Sequence, residues 1–365
     1  MSRIRIWQAG LLVMMLLMAA LLWTAPVSAA NCYVYLDSVG HVCTGESSQP
    51  TFVEPEPKTD SMLQHRTYAR LNDLVNVYTA PSLAAPIARN VGDGFLFSTV
   101  QGVVESEGQT WYMINPDEYV RSEDLRIVSA SDFMGYQVMA QPERPFGWVI
   151  APVHPSRTPG AEPEPGTPKL DRYTFFQVYE AVNIQEEDGE WLWYNIGGGY
   201  WIRQTFVSLI DVNAPPAEIG AGEFWVEIDL YEQSFAAYEG ERMVYAGLIS
   251  SGLNRWPTRE GLFQVWSRHL QTKMSGAEGE VDYYFIEDVP HTMFFDDDIA
   301  LHGAYWHDRF GYKHSHGCVN MPPRAAEWVY DWSANAPNDL WVWVHTSDPH
   351  VYFERHDPEV NFAGP

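Results

Sequence analysis

The feature that most restricts the fold is a recurring short run of aromatic and β-branched residues, often alternating with polar ones and closed by glycine, aspartate or proline. Gly108-Gln109-Thr110-Trp111-Tyr112-Met113-Ile114, Glu190-Trp191-Leu192-Trp193-Tyr194, Phe224-Trp225-Val226-Glu227-Ile228-Asp229-Leu230 and Leu340-Trp341-Val342-Trp343-Val344-His345 are four of them. Side chains on a strand repeat every second residue, so runs of this length and pattern suit half-buried strands. One segment departs from the pattern: Pro323 to Trp332 reads as a helix with proline in its first turn. The chain is therefore expected to be mostly β, with one short helix.

Its 365 residues suffice for two or three domains. Residues 1–30 have the form of a secretory signal: Arg3 and Arg5, an apolar run from Leu11 to Trp23, then Ser28-Ala29-Ala30. An uncleaved anchor is the rival, for which the apolar run is short. Lipidation at Cys32 is disfavoured by Asn31, where a small residue is expected. Export changes the reading of the three cysteines. Cys32 and Cys43 flank a segment that a hairpin would close, and outside the cytoplasm such a pair oxidises. Cys318 is then the odd thiol, a candidate for reactivity.

Residues 31–64 form an N-terminal extension and linker, with Gly45 to Asp60 polar and given nothing to bury. Two weakly similar units follow, 65–130 and 131–212. Trp111 aligns with Trp193 and Arg121 with Arg203, at a common offset of 82. The second unit carries a proline-rich insertion, Pro152 to Pro168, which is expected to be loop. After Asn213-Ala214-Pro215-Pro216 comes a β-rich domain, 221–347, and then a tail, 348–365. Lys+Arg 22 against Asp+Glu 48 gives a net charge of −26, which repels nucleic acid and anionic lipid and removes both as partners.

The chemistry concentrates in Leu301 to Met321, which holds His302, His307, His314, His316 and Cys318. A free thiol is mostly protonated at neutral pH, and a nearby imidazole activates it by taking the proton. Gly317 lets the backbone turn tightly before Cys318, so that successive N–H groups converge on one point, as an oxyanion requires. His302 closes the apolar strand Ile299-Ala300-Leu301 and is the expected base. His316 is nearer in sequence but is expected to point elsewhere, and His307 and His314 are expected to be exposed in a loop. The stretch His269 to Asp298 is less regular and is expected to rim the cleft. Its run Asp296-Asp297-Asp298 reads as a solvated loop in preference to a metal site.

His302, a spacer and then Ser315-His316-Gly317-Cys318-Val319-Asn320, with His302-Gly303-Ala304-Tyr305-Trp306-His307 before and Trp328-Val329-Tyr330-Asp331 after, resembles the signature of the L,D-transpeptidase catalytic (YkuD) family over about residues 222 to 346. The two upstream units resemble bacterial SH3-like modules found on wall enzymes, serving either to bind wall glycopeptide or as spacers. The implied architecture is two small SH3-like barrels followed by a β-rich catalytic domain with a short helix after the nucleophile. The implied activity is 3–3 cross-linking of peptidoglycan: Cys318 attacks the third residue of a tetrapeptide stem, D-alanine leaves, and a neighbouring stem amine accepts the acyl group. The backbone N–H groups of His316, Gly317 and Cys318 are implied to form the oxyanion hole, with Ser315 and His316 shaping that turn. Tyr305, Trp306, Asn320 and Arg324 are candidate substrate contacts, with Arg324 near a carboxylate. Carbapenem β-lactams are implied as covalent inhibitors, and no cofactor or metal is implied. Two alternatives stay open: a cysteine-dependent wall-peptide hydrolase (an L,D-carboxypeptidase), in which water replaces the amine, and a non-catalytic wall-binding protein, with Cys318 and some of the histidines ligating zinc.

Overall fold

The computed structural model describes residues 51–59, 61–279 and 283–347, together with the backbone of a hairpin formed by Cys32–Leu36 and Gly40–Cys43. The segments read as signal and tail lie outside the described residues. In the hairpin Cys32 and Cys43 are directly opposed partners. The expected disulfide concerns side chains outside those described.

From Thr51 onward the chain packs as one unit. It is built of strands, and Pro323–Ser333 is the one α-helix among the described residues. Two seven-stranded sheets organise it. The first runs Gly261–Gln264, Trp341–His345, Phe224–Asp229, Ser234–Glu239, Arg242–Leu248, Tyr136–Val138 and Phe52–Val53. The second runs Leu125–Val128, Thr67–Leu71, Phe95–Val100, Tyr284–Asp296, Ile299–Gly303 and Val319–Met321, with Ser267–Gly276 paired to the strand Tyr284–Asp296. Between the sheets lies a core in which Val226, Ile228 and Val342 meet Met293, Leu301, Val319 and Met321. The helix turns Ala325, Ala326 and Val329 into the same core, the i, i+4 spacing of a single helical face. The outer face of the second sheet carries the cysteine.

Three expectations are corrected. Residues 45–60 are not wholly linker: Phe52 is buried at 5% exposure, with ring centroids 4.6 Å from Phe146 and 5.0 Å from Phe175, and its strand pairs with Tyr136–Val138. A lone phenylalanine in a proline-rich stretch gives no periodic signal, so only the tertiary pocket reveals its role. The stretch 269–298 is not irregular but a long hairpin, Ser267–Gly276 with Tyr284–Asp296. Its pattern was hidden by a register shift between Thr272 and Met274, which breaks the two-residue alternation. The match of Trp111 with Trp193 is corrected in part: across the ladder Trp111 faces Arg121 and Trp193 faces Arg203, as that match requires, but the buried counterpart of Trp111 is Trp191, whereas Trp193 is partly exposed and donates to Glu186. The connection from Asn115 to Arg121 spans six residue steps and that from Asn195 to Arg203 eight, the added length lying in the glycine turn Gly197 to Gly199. The offset is thus 80 before this turn and 82 after it.

The strand Tyr136–Val138, within the span assigned by sequence to the second unit, pairs with Arg242–Leu248 of the C-terminal β-rich domain. Inside 152–168 there is no strand beyond single bridges at Val153 and Ser156.

Phe52→Ala should lower unfolding free energy by about 3–4 kcal/mol, the usual cost of emptying a buried aromatic site. Denaturant titration measures it. A loss within about 0.5 kcal/mol, typical of a surface position, would mean that Phe52 belongs to a linker after all.

Candidate active site

The strands Ile299–Gly303 and Val319–Met321 run parallel, pairing Leu301 with Val319, His302 with Asn320 and Gly303 with Met321. Opposed residues in a ladder share a face, and that face repeats every second residue. Leu301, Val319 and Met321 enter the core. His302, Asn320 and, one step before the strand, Cys318 therefore lie on the outer face. The Ala300 amide bonds to the cysteine sulfur, which also lies 3.7 Å from the Asp298 carbonyl oxygen.

Ser315 builds the turn that presents Cys318. Its hydroxyl donates to the Cys318 carbonyl and accepts the Gly317 N–H at 3.1 Å. Gly317 adopts φ +120°, a conformation that strains any L side chain. Thr258 locks the turn from below: its hydroxyl donates to the Gly317 carbonyl at 2.7 Å and accepts the Gly252 N–H at 2.9 Å. Gly252 has to be glycine, because a Cβ there would fall 2.1 Å from the Trp256 carbonyl oxygen and 3.0 Å from Gly317 Cα. Gly317 commits its N–H to Ser315 and so drops out of the expected trio of oxyanion amides.

His302 is buried, and its Nδ1 lies 3.3 Å from the Gly303 carbonyl oxygen. A carbonyl only accepts, so Nδ1 carries the proton and Nε2 keeps its lone pair as the basic atom. The Trp306 ring stands 5.6 Å from the imidazole, centroid to centroid. His316 is held between Trp256 at 3.8 Å and Tyr284 at 5.0 Å. Burial pushes the Cys318 thiol up to about 11, opposed by the Ala300 amide, and pushes His302 down to about 4. Burial, with Cys318 and Asp298 adding negative charge, raises the Tyr284 phenol to about 12.

The sequence profile of the YkuD family, the L,D-transpeptidase catalytic domain, matches residues 223–349. These residues are an L,D-transpeptidase catalytic domain. The chain is 28% identical over 147 residues to YciB of Bacillus subtilis (strain 168), a protein named as an L,D-transpeptidase, covering 36% of this chain and 73% of the relative. A solved L,D-transpeptidase from Stackebrandtia nassauensis is 19% identical with a TM-score of 0.29, over 38% of this chain, which spans 62% of that structure's length. The catalytic domain of an E. faecium L,D-transpeptidase acylated by ertapenem is 24% identical with a TM-score of 0.30, covering 35% of this chain and all of that one.

Within this transpeptidase domain the other anticipated residues divide. Trp306 borders His302, as above. Asn320 is buried, exchanges two backbone hydrogen bonds with Ser250, and sets its amide 2.9 Å from His307 Nε2. Tyr305 is not at the cleft: it is fully buried, stacked 3.7 Å from Tyr68, with its hydroxyl donating to the Glu287 carbonyl. Arg324 lies apart from Cys318, 3.6 Å from Met134 Sδ and 3.5 Å from Asp132, beside a cavity of about 130 Å³. His307 is not an exposed loop residue. It is buried, and its Nδ1 accepts the Arg309 N–H at 3.1 Å. Its ring packs on Phe310 and His314, and the neighbouring Asp308 carboxylate accepts hydrogen bonds from Ser131 and Tyr173. The three aspartates form a turn in which Arg259 pairs with Asp296 at 2.5 Å and Asp297 at 3.2 Å. Among the described residues no group of three His, Cys, Asp or Glu side chains is placed to hold a metal ion. Thr258 and Tyr284 went unnoticed in the sequence. Thr258 lies in a turn whose partner is 59 residues away, and Tyr284 lies on the hairpin obscured by its bulge.

Burial depresses three histidines: His291 and His302 to about 4, and His307 well below its ordinary value. A histidine whose folded pKa is depressed is neutral in the fold and binds its proton more readily when unfolded, so stability rises with pH across that interval. Stability should therefore be complete above about pH 6.5 and fall towards pH 4, by roughly 2 kcal/mol at pH 5 for each of His291 and His302. Denaturation at graded pH checks this. In His291→Gln the slope between pH 6.5 and 5 should be shallower, and an unchanged slope would refute its neutral burial.

Proposed function

We propose that this protein is a peptidoglycan L,D-transpeptidase that works through a Cys318 acyl-enzyme. The observation that carries the proposal is the shared outer face of Cys318 and His302, with His302 Nδ1 committed to the Gly303 carbonyl and Nε2 left basic. Cys318 attacks the carbonyl of the third residue of a tetrapeptide stem as His302 Nε2 takes the thiol proton. The tetrahedral oxyanion is held by the amides of His316 and Cys318, each such donor being worth about 3 kcal/mol of barrier. His302 returns the proton to the departing amine of D-alanine, leaving a thioester. A side-chain amine of a neighbouring stem then attacks that thioester, His302 again relays the proton, and a 3–3 cross-link forms as Cys318 is released.

The substrate places the enzyme in the cell envelope, in agreement with the signal-like start of the chain. The two upstream units are SH3-like modules that hold the catalytic domain near the wall, and Cys32 and Cys43 form a disulfide within the N-terminal hairpin.

Incubation with a disaccharide-tetrapeptide should yield a cross-linked dimer and free D-alanine, both lost in Cys318→Ala. Shortened monomer without dimer would instead make the enzyme a hydrolase. A carbapenem carries a strained carbonyl that a thiol beside an oxyanion hole opens. Intact-mass spectra should show one stable adduct on Cys318, and no added mass after prolonged exposure would count against the proposed acyl-enzyme.

A further inference from the structure

The register of the second sheet carries the Cys318 face well beyond the catalytic pair. Ser267 opposes Phe294, Phe294 opposes Ala300, and Ala300 bonds to Cys318 through its amide, so one straight row crosses four strands. The neighbouring row runs from His269 through Thr292 to the strand of His302, which pairs with Asn320. Residues in a row share a face. Phe294 accordingly lies on the outer face, between the core residues Met293 and Phe295.

At the far end of these rows is an aromatic cluster that the described residues leave largely exposed. Trp266 is 64% exposed. The Trp266 ring lies 5.8 Å from that of Phe294, and the His269 ring meets Phe294 edge-on at 5.9 Å. Ser267 Oγ lies 2.9 Å from His269 Nε2, which fixes the imidazole beside the rings. The guanidinium of the intervening Arg268 turns to the other face, where it meets Ser333 and the Tyr330 carbonyl. The cluster thus offers flat aromatic surface, one hydroxyl and one imidazole.

We propose that Trp266, with Phe294 and His269, forms a saccharide subsite that stacks on a sugar ring of the glycan bearing the donor stem. This rests on the transpeptidase reading above. The chemistry fits because a pyranose ring presents C–H groups to an aromatic face and hydroxyls to its polar rim. The distance fits as well. Three inter-strand steps of about 4.8 Å separate the Cys318 column from the Ser267 column, ~14 Å in all. With the third-residue carbonyl at Cys318, the extended stem covers ~10 Å back to its first residue, and the linkage to the sugar bridges the remainder.

Binding is tested with the full chain carrying Cys318→Ala, so that nothing turns over, by calorimetry with two ligands: the free tetrapeptide and the same tetrapeptide on its disaccharide. The disaccharide form should bind about tenfold more tightly. Adding Trp266→Ala should remove that advantage while leaving affinity for the free tetrapeptide unchanged, and Trp266→Phe should keep part of it. Equal affinities for the two ligands, an advantage that survives Trp266→Ala, or binding of neither ligand would overturn the subsite. So would a change of oligomeric state in Trp266→Ala with the advantage intact, which would assign the patch to a second copy of the chain. Dimer formation by the wild-type enzyme from free tetrapeptide reports separately on the transpeptidase reading. Turnover without a saccharide advantage sinks the subsite alone.

Discussion

The site depends on the parallel pairing of Ile299–Gly303 with Val319–Met321. A parallel ladder sets opposed residues on one face, so this pairing alone decides that His302 and Cys318 look the same way while Leu301 and Val319 enter the core. A slip of one residue in either strand would turn that strand's own member of the pair, His302 or Cys318, towards the core and away from the other. The register is held from both sides. Below, the apolar residues pack against the helix and the first sheet, and above, Ser250 exchanges two backbone hydrogen bonds with Asn320. Cys318 itself stands just outside the strand, in a turn that Ser315, Gly317, Thr258 and Gly252 fix through hydrogen bonds and close backbone approach.

The same sheet ties the first upstream unit to the active site. Phe95–Val100 pairs in parallel with the hairpin strand that carries Tyr284 beside His316. Tyr68 stacks on Tyr305, three residues after His302, and Arg66 and Thr99 both bond to Asp288 on the hairpin. The rim of the cleft is therefore partly built from residues that precede the catalytic domain in sequence. Removing the first unit would leave the strand Tyr284–Asp296 with an unpaired edge, the kind of exposed backbone that folded proteins avoid.

Much of this was legible in the sequence, for reasons that differ by residue. Cys318, His302 and the Ser315-His316-Gly317 turn stand close together in the chain, and the strand register sets Cys318 and His302 on one face. The strand Phe224–Asp229, the helix Pro323–Ser333 and the closing strand Trp341–His345 announce themselves by clean periodicity. What escaped depends on partners distant in the chain. Phe52 has meaning only against Phe146 and Phe175, Thr258 only against Gly317, and Tyr284 only once the bulged hairpin is folded back over Cys318. Tyr305 and His307 misled in opposite senses. Tyr305 was expected at the cleft because it neighbours the motif, and His307 was expected in solvent because it neighbours charges, yet both rings are buried.

The central claim, that His302 is the base that serves Cys318, is tested most directly by the rate of carbapenem acylation at fixed pH in single histidine variants, with folding monitored by thermal melt. The account predicts that His302→Ala slows acylation by ~100-fold or more, the scale of a lost general base. His316→Ala, which removes a ring packed on Trp256 and Tyr284 but no base, should slow it far less. Wild-type acylation in folded His302→Ala, together with its loss in His316→Ala, would contradict the account.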